Sequence, residues 1–361
     1  MAGGSFVGVA GLALLAAATV CLTSGCGTVG YYAQSVSGHL AIVRAARPVP
    51  EWLADSATPA ALKARLALSQ RIRDFAVREL GEPDNASYRR YADLQRGAAV
   101  WNVVAAPELG LRLQTWCFPV VGCVGYRGYY TQAQADAFAQ TLRAQGLEVS
   151  VYGVPAYSTL GKLPGDAFAV PLLSTFIDYP EGELARLVFH ELAHQIAYAP
   201  GDTEFNESFA TAVERIGGSK WLAEQADAAQ RDEYERLDAR RQGFREITAR
   251  HRDALQALYQ SDLPDAAKRV AKQLLMERLR SEYATLKRER WGGYSGYDGW
   301  FARANNASFG VLSAYYDLAP NFERLFEREG RDFARFYAEV KRIAALPKDQ
   351  RRALLPCTEL N

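Results

Sequence analysis

The first 43 residues of the chain contain no Lys, Arg, Asp or Glu, and the first charged side chain is Arg44. Histidine and methionine are also scarce, with four and two copies among 361 residues. The formal net charge is only +1, so we expect no nucleic-acid partner. Because 49% of the residues are hydrophobic and 23% are charged, the composition indicates a globular protein with a sizeable core.

The uncharged N-terminal stretch contains an apolar run, Val7 to Leu22, of the length found in signal peptides. A membrane-spanning helix usually needs about 20 apolar residues. The run ends in Leu22-Thr23-Ser24-Gly25-Cys26, which resembles the lipobox of bacterial lipoproteins. The resemblance implies a signal peptide over residues 1–25 and a lipid on Cys26. It implies export and a lipid anchor, with the outer membrane facing the periplasm favoured because Gly27 is not aspartate.

Two features of the N-terminal stretch differ from that pattern. Thr23 stands where a leucine is usual, and no basic residue precedes the apolar run. An uncleaved N-terminal anchor and an ordinary secreted signal therefore remain alternatives to the lipoprotein signal.

Five cysteines occur in the chain, and two of them lie close together beyond the N-terminal stretch. Cys117 and Cys123 flank the sequence FPVVG, which contains turn-forming residues. In an oxidising compartment this spacing favours a short-loop disulfide, with two buried free thiols as the alternative. The spacing fits no zinc ribbon.

The sequence pattern predicts an α+β, mainly helical fold with a small N-terminal sheet and a helical C-terminal part. Residues 26–60 are interpreted as a tether with a first helix around His39 to Ala46, residues 61–218 as the core, and residues 219–361 as helices that complete the site. Helices are predicted at Ala60–Leu80 and Thr131–Gln145, and strands at Val100–Val104, Leu111–Thr115, Tyr126–Tyr130 and Glu148–Val154. The apolar run Ala167–Ile177 contains Pro171, which favours an edge strand.

The composition shifts after residue 218 towards Ala, Arg, Glu, Gln and Leu. Lys220–Gln260 and Asp265–Arg290, separated by SDLPD, are predicted to form a long antiparallel helical hairpin. We interpret this hairpin as a solvated structural arm, with His251 exposed on it. A Gly/Tyr loop over residues 291–300 and two closing helices complete the chain.

The stretch VFHELAHQ contains two histidines four residues apart. A helix is predicted from Pro180 to about Tyr198, and it places His190 and His194 on one face, one turn apart. Glu191 lies about 100° around the helix, beside a shared ion rather than on it. This is the H-E-x-x-H arrangement, in which two imidazoles bind a metal ion and the glutamate takes a proton from water.

Two of the four histidines fall within this motif. A helix with two buried imidazoles and a carboxylate is costly to fold unless an ion or partners compensate. A core helix with hydrogen-bonded histidines is the structural alternative, and the pattern favours a metal site.

The third ligand is predicted to come from a second helix, from Thr203 to Ile216, which follows the APGD turn and ends at Gly217-Gly218. A third histidine of the H-E-x-x-H-x-x-G-x-x-H class is excluded because Pro200 occupies its position. The carboxylates that remain are Asp202, Glu204, Glu207 and Glu214. Glu207 is preferred because apolar residues flank it on the buried side, Glu214 is interpreted as a surface charge, and Asp202 as a partner that fixes a histidine tautomer.

HELAHQ followed by DTEFNESFATAVERIGGSKWL resembles the glutamate-type zincins, and most of all a family of bacterial predicted aminopeptidases, many of them lipoproteins. The resemblance extends from the cysteine pair to Asn305-Asn306. It implies a zincin-like core over residues 61–218 and one Zn²⁺ ion. It also implies that His190, His194 and Glu207 are the ligands and that Glu191 is the base. The Gly-x-Met-Glu-Asn segment that binds the substrate amine in other aminopeptidases of this type is absent from the sequence.

A tyrosine is expected to stabilise the oxyanion formed during peptide hydrolysis. Tyr315 is preferred because it follows NNASFG on a predicted closing helix, and the other candidates are Tyr294, Tyr297 and Tyr316. Asn305 and Asn306 are interpreted either as substrate contacts or as a helix cap. The run Ala167–Ile177 could bind an extended peptide by strand addition or be an ordinary edge strand.

The sequence therefore predicts an exported, lipid-anchored zinc peptidase that acts on peptide substrates. Two alternatives stay open at this stage. The first is a non-catalytic, zinc-stabilised envelope lipoprotein for binding or assembly. The second is an amidase that acts on cell-wall peptides.

Overall fold

The structure is a computed structural model that describes residues 30–118, 122–156, 169–316 and 318–355, without the side chains of residues 313–316. The predicted signal peptide and Cys26 lie outside these ranges. Within them, no helix combines the length and the apolar character needed to cross a membrane. The described chain is mainly helical with small sheets, which agrees with the predicted α+β, mainly helical class.

The helices carry most of the described chain. They are α1 (30–45), α2 (Val49–Ala54), α3 (Ala60–Leu80), α4 (Gln132–Arg143), α5 (Glu181–Ala193), α6 (Thr203–Glu224), α7 (Ala228–Gln260), α8 (Asp265–Glu289), α9 (Asp298–Arg303), α10 (Asn306–Tyr316), α11 (Ala319–Arg328), α12 (Phe333–Ala344) and α13 (Lys348–Leu354). The predicted helices over 60–80 and from Thr131 are therefore confirmed, and the Thr131 side chain accepts a hydrogen bond from Gln134 N as the cap of α4.

Short strands form small separate sheets. They are β1 (Arg47–Pro48), β2 (Arg90–Ala92), β3 (Val100–Pro107), β4 (Trp116–Phe118), β5 (Gly122–Val124), β6 (Arg127–Tyr129), β7 (Leu147–Val154) and β8 (Leu172–Leu173). The strand orders are β1-β2-β8, β6-β3-β7 and β4-β5. In the second sheet β3 is central and antiparallel to both neighbours, so the strands predicted near residues 100, 126 and 148 are confirmed.

The predicted strand Leu111–Thr115 is wrong. This segment joins no strand pair, although Gln114 N donates to Ala105 O at 2.8 Å. Its alternating apolar side chains pack in two directions instead, with Leu111 against the cluster around Phe309 and Leu113 against that around Val104. Period-two hydrophobicity here reflects two packing partners rather than a strand.

The apolar run Ala167–Ile177 contributes only the two residues of β8 within its described part. β8 pairs in parallel with β2 at the edge of its sheet. Leu172 and Leu173 are both fully buried, so their side chains belong to the core. This part of the run has a packing role, while residues 167 and 168 lie outside the described residues.

Strands β4 and β5 form a hairpin in which Cys117 lies opposite Cys123, and a disulfide joins the two. The hairpin contacts the turn between α5 and α6. Gly122 has a φ of 77°, and a Cβ atom built on it would lie 2.7 Å from Gly201 N. Glycine is required at position 122 both for this backbone conformation and for the close approach.

Helix α6 is longer than the sequence predicts. It continues through Gly217-Gly218 to Glu224 instead of ending at Ile216. A Cβ atom on Gly217 would lie 2.6 Å from Leu80 Cδ1 and 2.9 Å from Phe189 Cδ2. The two glycines therefore let α6 approach α5 and α3 closely, and they do not act as a C-terminal cap.

Helices α7 and α8 form the predicted antiparallel hairpin, and helices follow it to the end of the described chain. The prediction that His251 is exposed on this arm is wrong. Its residue exposure is 5%, and its Nε2 lies 3.2 Å from Glu282 Oε2 on the facing helix. His251 is thus part of the contact between the two helices.

Candidate metal centre

Helix α5 positions the two histidines of the motif. Its first turn carries Glu181 and Glu183, which suit the positive end of the helix dipole. The helix ends at Ala193, earlier than predicted, but His194 follows with φ −59° and ψ −20°. Because that conformation is still helical, His194 keeps its place one turn after His190 on the same face.

The turn after α5 folds α6 back along it. Asn206 closes this turn, since its side chain accepts from Ala199 N at 2.7 Å and donates to Ala199 O at 3.0 Å. Asn206 is 3% exposed. This pair of buried hydrogen bonds fixes the start of α6 relative to the end of α5, and so fixes where Glu207 points.

The side chains of His190, His194 and Glu207 meet at one point. One ligand atom from each residue can be chosen so that all three lie within 4.8 Å of one another. Glu207 Oε2 lies 3.3 Å from His190 Nε2 and 3.7 Å from His194 Nε2. The two imidazole rings are nearly perpendicular, with an interplanar angle of 84° and centroids 4.9 Å apart.

This donor set fits a tetrahedral metal ion. Two imidazole nitrogens and a carboxylate oxygen are ligands that Zn²⁺ accepts, and with bonds of about 2.0–2.1 Å they lie about 3.3 Å apart around the ion. The two N···O distances of 3.3 and 3.7 Å are close to this value. Of the three side chains, His194 is the most buried, at 7% exposure, and its Nδ1 has no hydrogen-bond partner among the described residues.

The other nitrogen of His190 is held by Glu214, a residue that the sequence suggested was a surface charge. His190 Nδ1 donates to Glu214 Oε2 at 2.9 Å, and the second carboxylate oxygen accepts from Arg186. The Glu214 side chain is 18% exposed and that of Arg186 is 6% exposed. Glu214 therefore fixes the tautomer and the orientation of His190, a role that carboxylates commonly have behind metal-binding histidines.

The charges in this cluster shift one another's pKa values. Burial alone would raise the pKa of Glu214, but the Arg186 guanidinium and the His190 ring outweigh it and lower that pKa to about 2. Burial lowers the pKa of His194 to about 4. It also raises the pKa of Glu191 to about 7, assisted by the charges of Glu207 and Glu214 and opposed by His190. Glu214 is thus an anion at neutral pH and His194 is neutral. Burial alone would lower the pKa of His190, but the carboxylates of Glu207 and Glu214 outweigh burial and raise that pKa well above its usual value.

Asp202 does not contact either histidine, so the prediction that it fixes a histidine tautomer is wrong. It is 1% exposed and is the N-cap of α6. Its carboxylate accepts from Arg351 Nη1 at 2.7 Å and from Arg352 Nη2 at 3.1 Å. Asp202 therefore ties the C-terminal helix α13 to the beginning of α6.

The tyrosines proposed for oxyanion stabilisation lie in different places. Tyr315 and Tyr316 belong to helix α10, but their side chains lie outside the described residues. Tyr297 stacks on Phe244 with ring centroids 4.5 Å apart, in the cluster at the base of the helical hairpin. Tyr294 packs in the same cluster beneath Arg240, so both rings have a structural role.

Three other tyrosines are close enough to Glu207 for its charge to act on them. Burial, and then the carboxylate of Glu207, raises the pKa of Tyr126 and of Tyr198. Burial raises the pKa of Tyr152 to about 12, opposed by a hydrogen bond with Asn102 and assisted by Glu207. Tyr126 and Tyr152 also share one apolar cluster. Sequence reasoning missed Tyr126 and Tyr152 because they lie beside and on strands far from the motif along the chain.

Asn305 and Asn306 have structural partners. Asn305 Oδ1 accepts from Ser308 N at 3.1 Å as a cap of α10, and its amide donates to Val149 O at 3.1 Å. The amide of Asn306 donates to Pro107 O and Glu108 O at 2.9 and 2.8 Å. The capping interpretation is therefore confirmed for Asn305, while Asn306 joins the start of α10 to the end of β3.

Comparison with known proteins adds a family assignment to this geometry. No curated protein and no solved structure matches the chain. One protein family, described as "Putative aminopeptidase", matches residues 30–355. Because that match covers the whole described chain, including both helices of the candidate metal centre, this protein belongs to the "Putative aminopeptidase" family.

Proposed function

We propose that this protein is a zinc-dependent peptidase whose zinc is held by His190, His194 and Glu207. The observation that supports this most directly is the convergence of the three ligand atoms to within 4.8 Å of one another on two adjacent helices. Membership of the family supports a peptidase role in general terms. The zinc requirement and the residue roles are our proposal.

Zinc bound by these residues would polarise the carbonyl of the scissile bond and make water a good nucleophile near neutral pH. Glu191 takes the proton from the attacking water and then gives it to the leaving amine. Its position next to His190, at the side of the ligand face, suits this role. Arg186 holds Glu214, and Glu214 holds the His190 ring through its Nδ1 atom, so the ring keeps its orientation during the reaction.

The core over residues 61–218 is proposed to be zincin-like, and residues 219–361 to complete the site. Support comes from helix α10, which follows the hairpin along the chain yet packs on α6, the helix that carries Glu207. Export and a lipid on Cys26 are proposed from the N-terminal sequence, with the outer membrane facing the periplasm as the destination. The substrate is proposed to be a peptide, and the sequence resemblance favours an aminopeptidase.

The test compares the zinc content and peptidase activity of the wild-type chain with those of His190→Ala and Glu191→Gln. We expect His190→Ala to lose zinc, because a ligand is removed, and Glu191→Gln to keep zinc but lose activity, because the base is removed. His251→Ala is the control, since it removes a buried histidine outside the centre and should leave the zinc content unchanged.

Two outcomes would contradict the proposal. Zinc retained at full stoichiometry in His190→Ala would reject the ligand assignment. Zinc in the wild-type chain together with no turnover of any peptide in a broad library would favour the non-catalytic, zinc-stabilised lipoprotein instead.

A further inference from the structure

We propose that one face of helix α1 lies on a phospholipid membrane surface and holds the catalytic part of the chain against it. The face consists of Tyr32, Val36 and Leu40. The proposal rests on the proposed lipid at Cys26, concerns how the folded chain docks, and is independent of the proposed peptidase chemistry.

Helix α1 is firmly joined to the rest of the described chain. Gln34 donates to Gly128 O at 3.3 Å and accepts from Tyr130 N at 3.2 Å, so it bonds to β6 and to the residue after it. Ile42 is 2% exposed in the main core. A Cβ atom on Gly38 would overlap the Tyr130 side chain, which shows how closely the helix approaches. A surface that binds α1 therefore orients the whole folded unit.

The opposite face of α1 is apolar and remains partly exposed in the described part of the chain. Tyr32 is 40% exposed, Val36 is 59% exposed and Leu40 is 36% exposed. A spacing of four residues places them along one side of the helix. Next to this side, Phe118 of the disulfide hairpin packs against Tyr32 with ring centroids 6.3 Å apart. The aromatic rings thus extend the apolar surface beyond the helix.

The chain that precedes α1 indicates that the partner of this face is a membrane. Residues 1–29 contain no charge and include the apolar run that ends at Leu22. Four Cα-to-Cα steps separate Cys26 from residue 30, and at about 3.3–3.6 Å each they reach at most about 14 Å. If Cys26 carries a lipid, the first turn of α1 cannot lie far from the bilayer surface.

The composition of the face suits an interfacial position. Tyrosine is enriched at membrane–water interfaces because its ring is apolar and its hydroxyl is polar. Charge enters only at Arg44, which is exposed near the end of the helix, where it can contact anionic headgroups. An apolar face bound to a bilayer removes Val36 and Leu40 from water.

The experiment uses the full chain, purified from membranes of the expressing cells and placed in nanodiscs of phosphatidylethanolamine and phosphatidylglycerol. The nanodiscs contain a phospholipid with a carbene-forming group, and labelled residues are located by mass spectrometry after irradiation. Leu263, Val270 and Leu274 on the helical hairpin provide an internal control, since they are 47%, 60% and 61% exposed. We expect several-fold more label on Tyr32, Val36 and Leu40 than on this control set.

Variants sharpen the test. Val36→Asp combined with Leu40→Asp should remove most of the label from α1, whereas Val270→Asp combined with Leu274→Asp should leave it unchanged. Turnover of a soluble peptide should be the same in all of these chains, so loss of membrane contact and loss of peptidase activity are distinguishable. Equal label on α1 and on the control set would overturn the proposal.

Two further outcomes would also overturn it. Label confined to residues before 30 would show that the chain is anchored without α1 touching the bilayer. Chain dimers trapped by a bifunctional cross-linker through residues 32–40 would show that a second copy covers the face.

Discussion

Glu214 Oε2 lies 2.9 Å from His190 Nδ1, while the other oxygen of Glu214 accepts a hydrogen bond from Arg186. Arg186 is on α5, one turn before His190, and Glu214 is on α6, two turns after Glu207. The two helices that supply the proposed metal ligands therefore also supply the group that orients one of them. This arrangement explains why a buried ion pair is present between α5 and α6.

Glu214→Gln should weaken zinc binding by about 10–100-fold, because the His190 ring loses its anionic partner. The measurement is a zinc titration in competition with a chelator. Glu224→Gln on the same helix, which disrupts only the exposed pair with Lys220, is the matched control. Unchanged zinc affinity in Glu214→Gln would show that the His190 orientation does not depend on this carboxylate.

Gly217→Ala and Gly218→Ala should each destabilise the fold. The added Cβ atoms would lie 2.6 Å from Leu80 Cδ1 and 2.7 Å from Arg186 Cγ, respectively. Overpacking of a core usually costs about 1–3 kcal/mol, which outweighs the gain in helix propensity of up to about 1 kcal/mol. Thermal and denaturant unfolding measure the change. Gly97→Ala is the control because nothing lies within 4 Å of its Cβ position, and equal stability of all three variants would contradict the packing argument.

Replacing both Cys117 and Cys123 by serine should lower the free energy of unfolding by about 2 kcal/mol, the loop-entropy value for so short a loop. Zinc affinity should fall as well, because the hairpin contacts Gly201 in the turn between the ligand helices. In the wild-type chain, Cys117 and Cys123 should react with an alkylating reagent only after reduction. Mass spectrometry detects the reaction as the added mass of two labels on this pair. Alkylation of both thiols in the folded, unreduced chain would contradict the disulfide.

Arg351→Ala should destabilise the protein by about 3 kcal/mol, because it leaves the buried Asp202 carboxylate with one partner fewer. Asp202 caps the helix that carries Glu207, so the zinc content should also fall. Arg331→Ala, which removes an exposed pair with Glu327, should change stability by less than about 1 kcal/mol. Similar effects of the two variants in urea unfolding would reject this assignment.

Peptides with free and acetylated N-termini should separate exopeptidase from endopeptidase activity. If the family description applies to this chain, a peptide with a free amine is cleaved after its first residue and its acetylated form is not cleaved. The products are identified by mass spectrometry, with Glu191→Gln as the inactive control. Cleavage of the acetylated form at an internal bond would reject the aminopeptidase assignment.

The local pattern predicted the helices well, because the helical period and the residues that end each helix are properties of short segments. It failed where packing against residues distant along the chain decides the role or the exposure of a residue. Gly217 and Gly218 look like a helix end, yet they lie inside α6, where two neighbouring helices leave no room for a Cβ atom. His251 looks exposed, yet α8 covers it.

The sequence by itself determined that His190, Glu191 and His194 share one turn of a helix, since a spacing of four residues sets this directly. It also singled out Glu207 from the carboxylates that follow. Only the tertiary structure decided that Glu214 rather than Asp202 supports His190. That choice depends on how α6 lies against α5, which is fixed by Asn206 in the turn and by the close approach at Gly217 and Gly218. Side chains on two helices meet through packing, and the order of residues along the chain does not specify that packing.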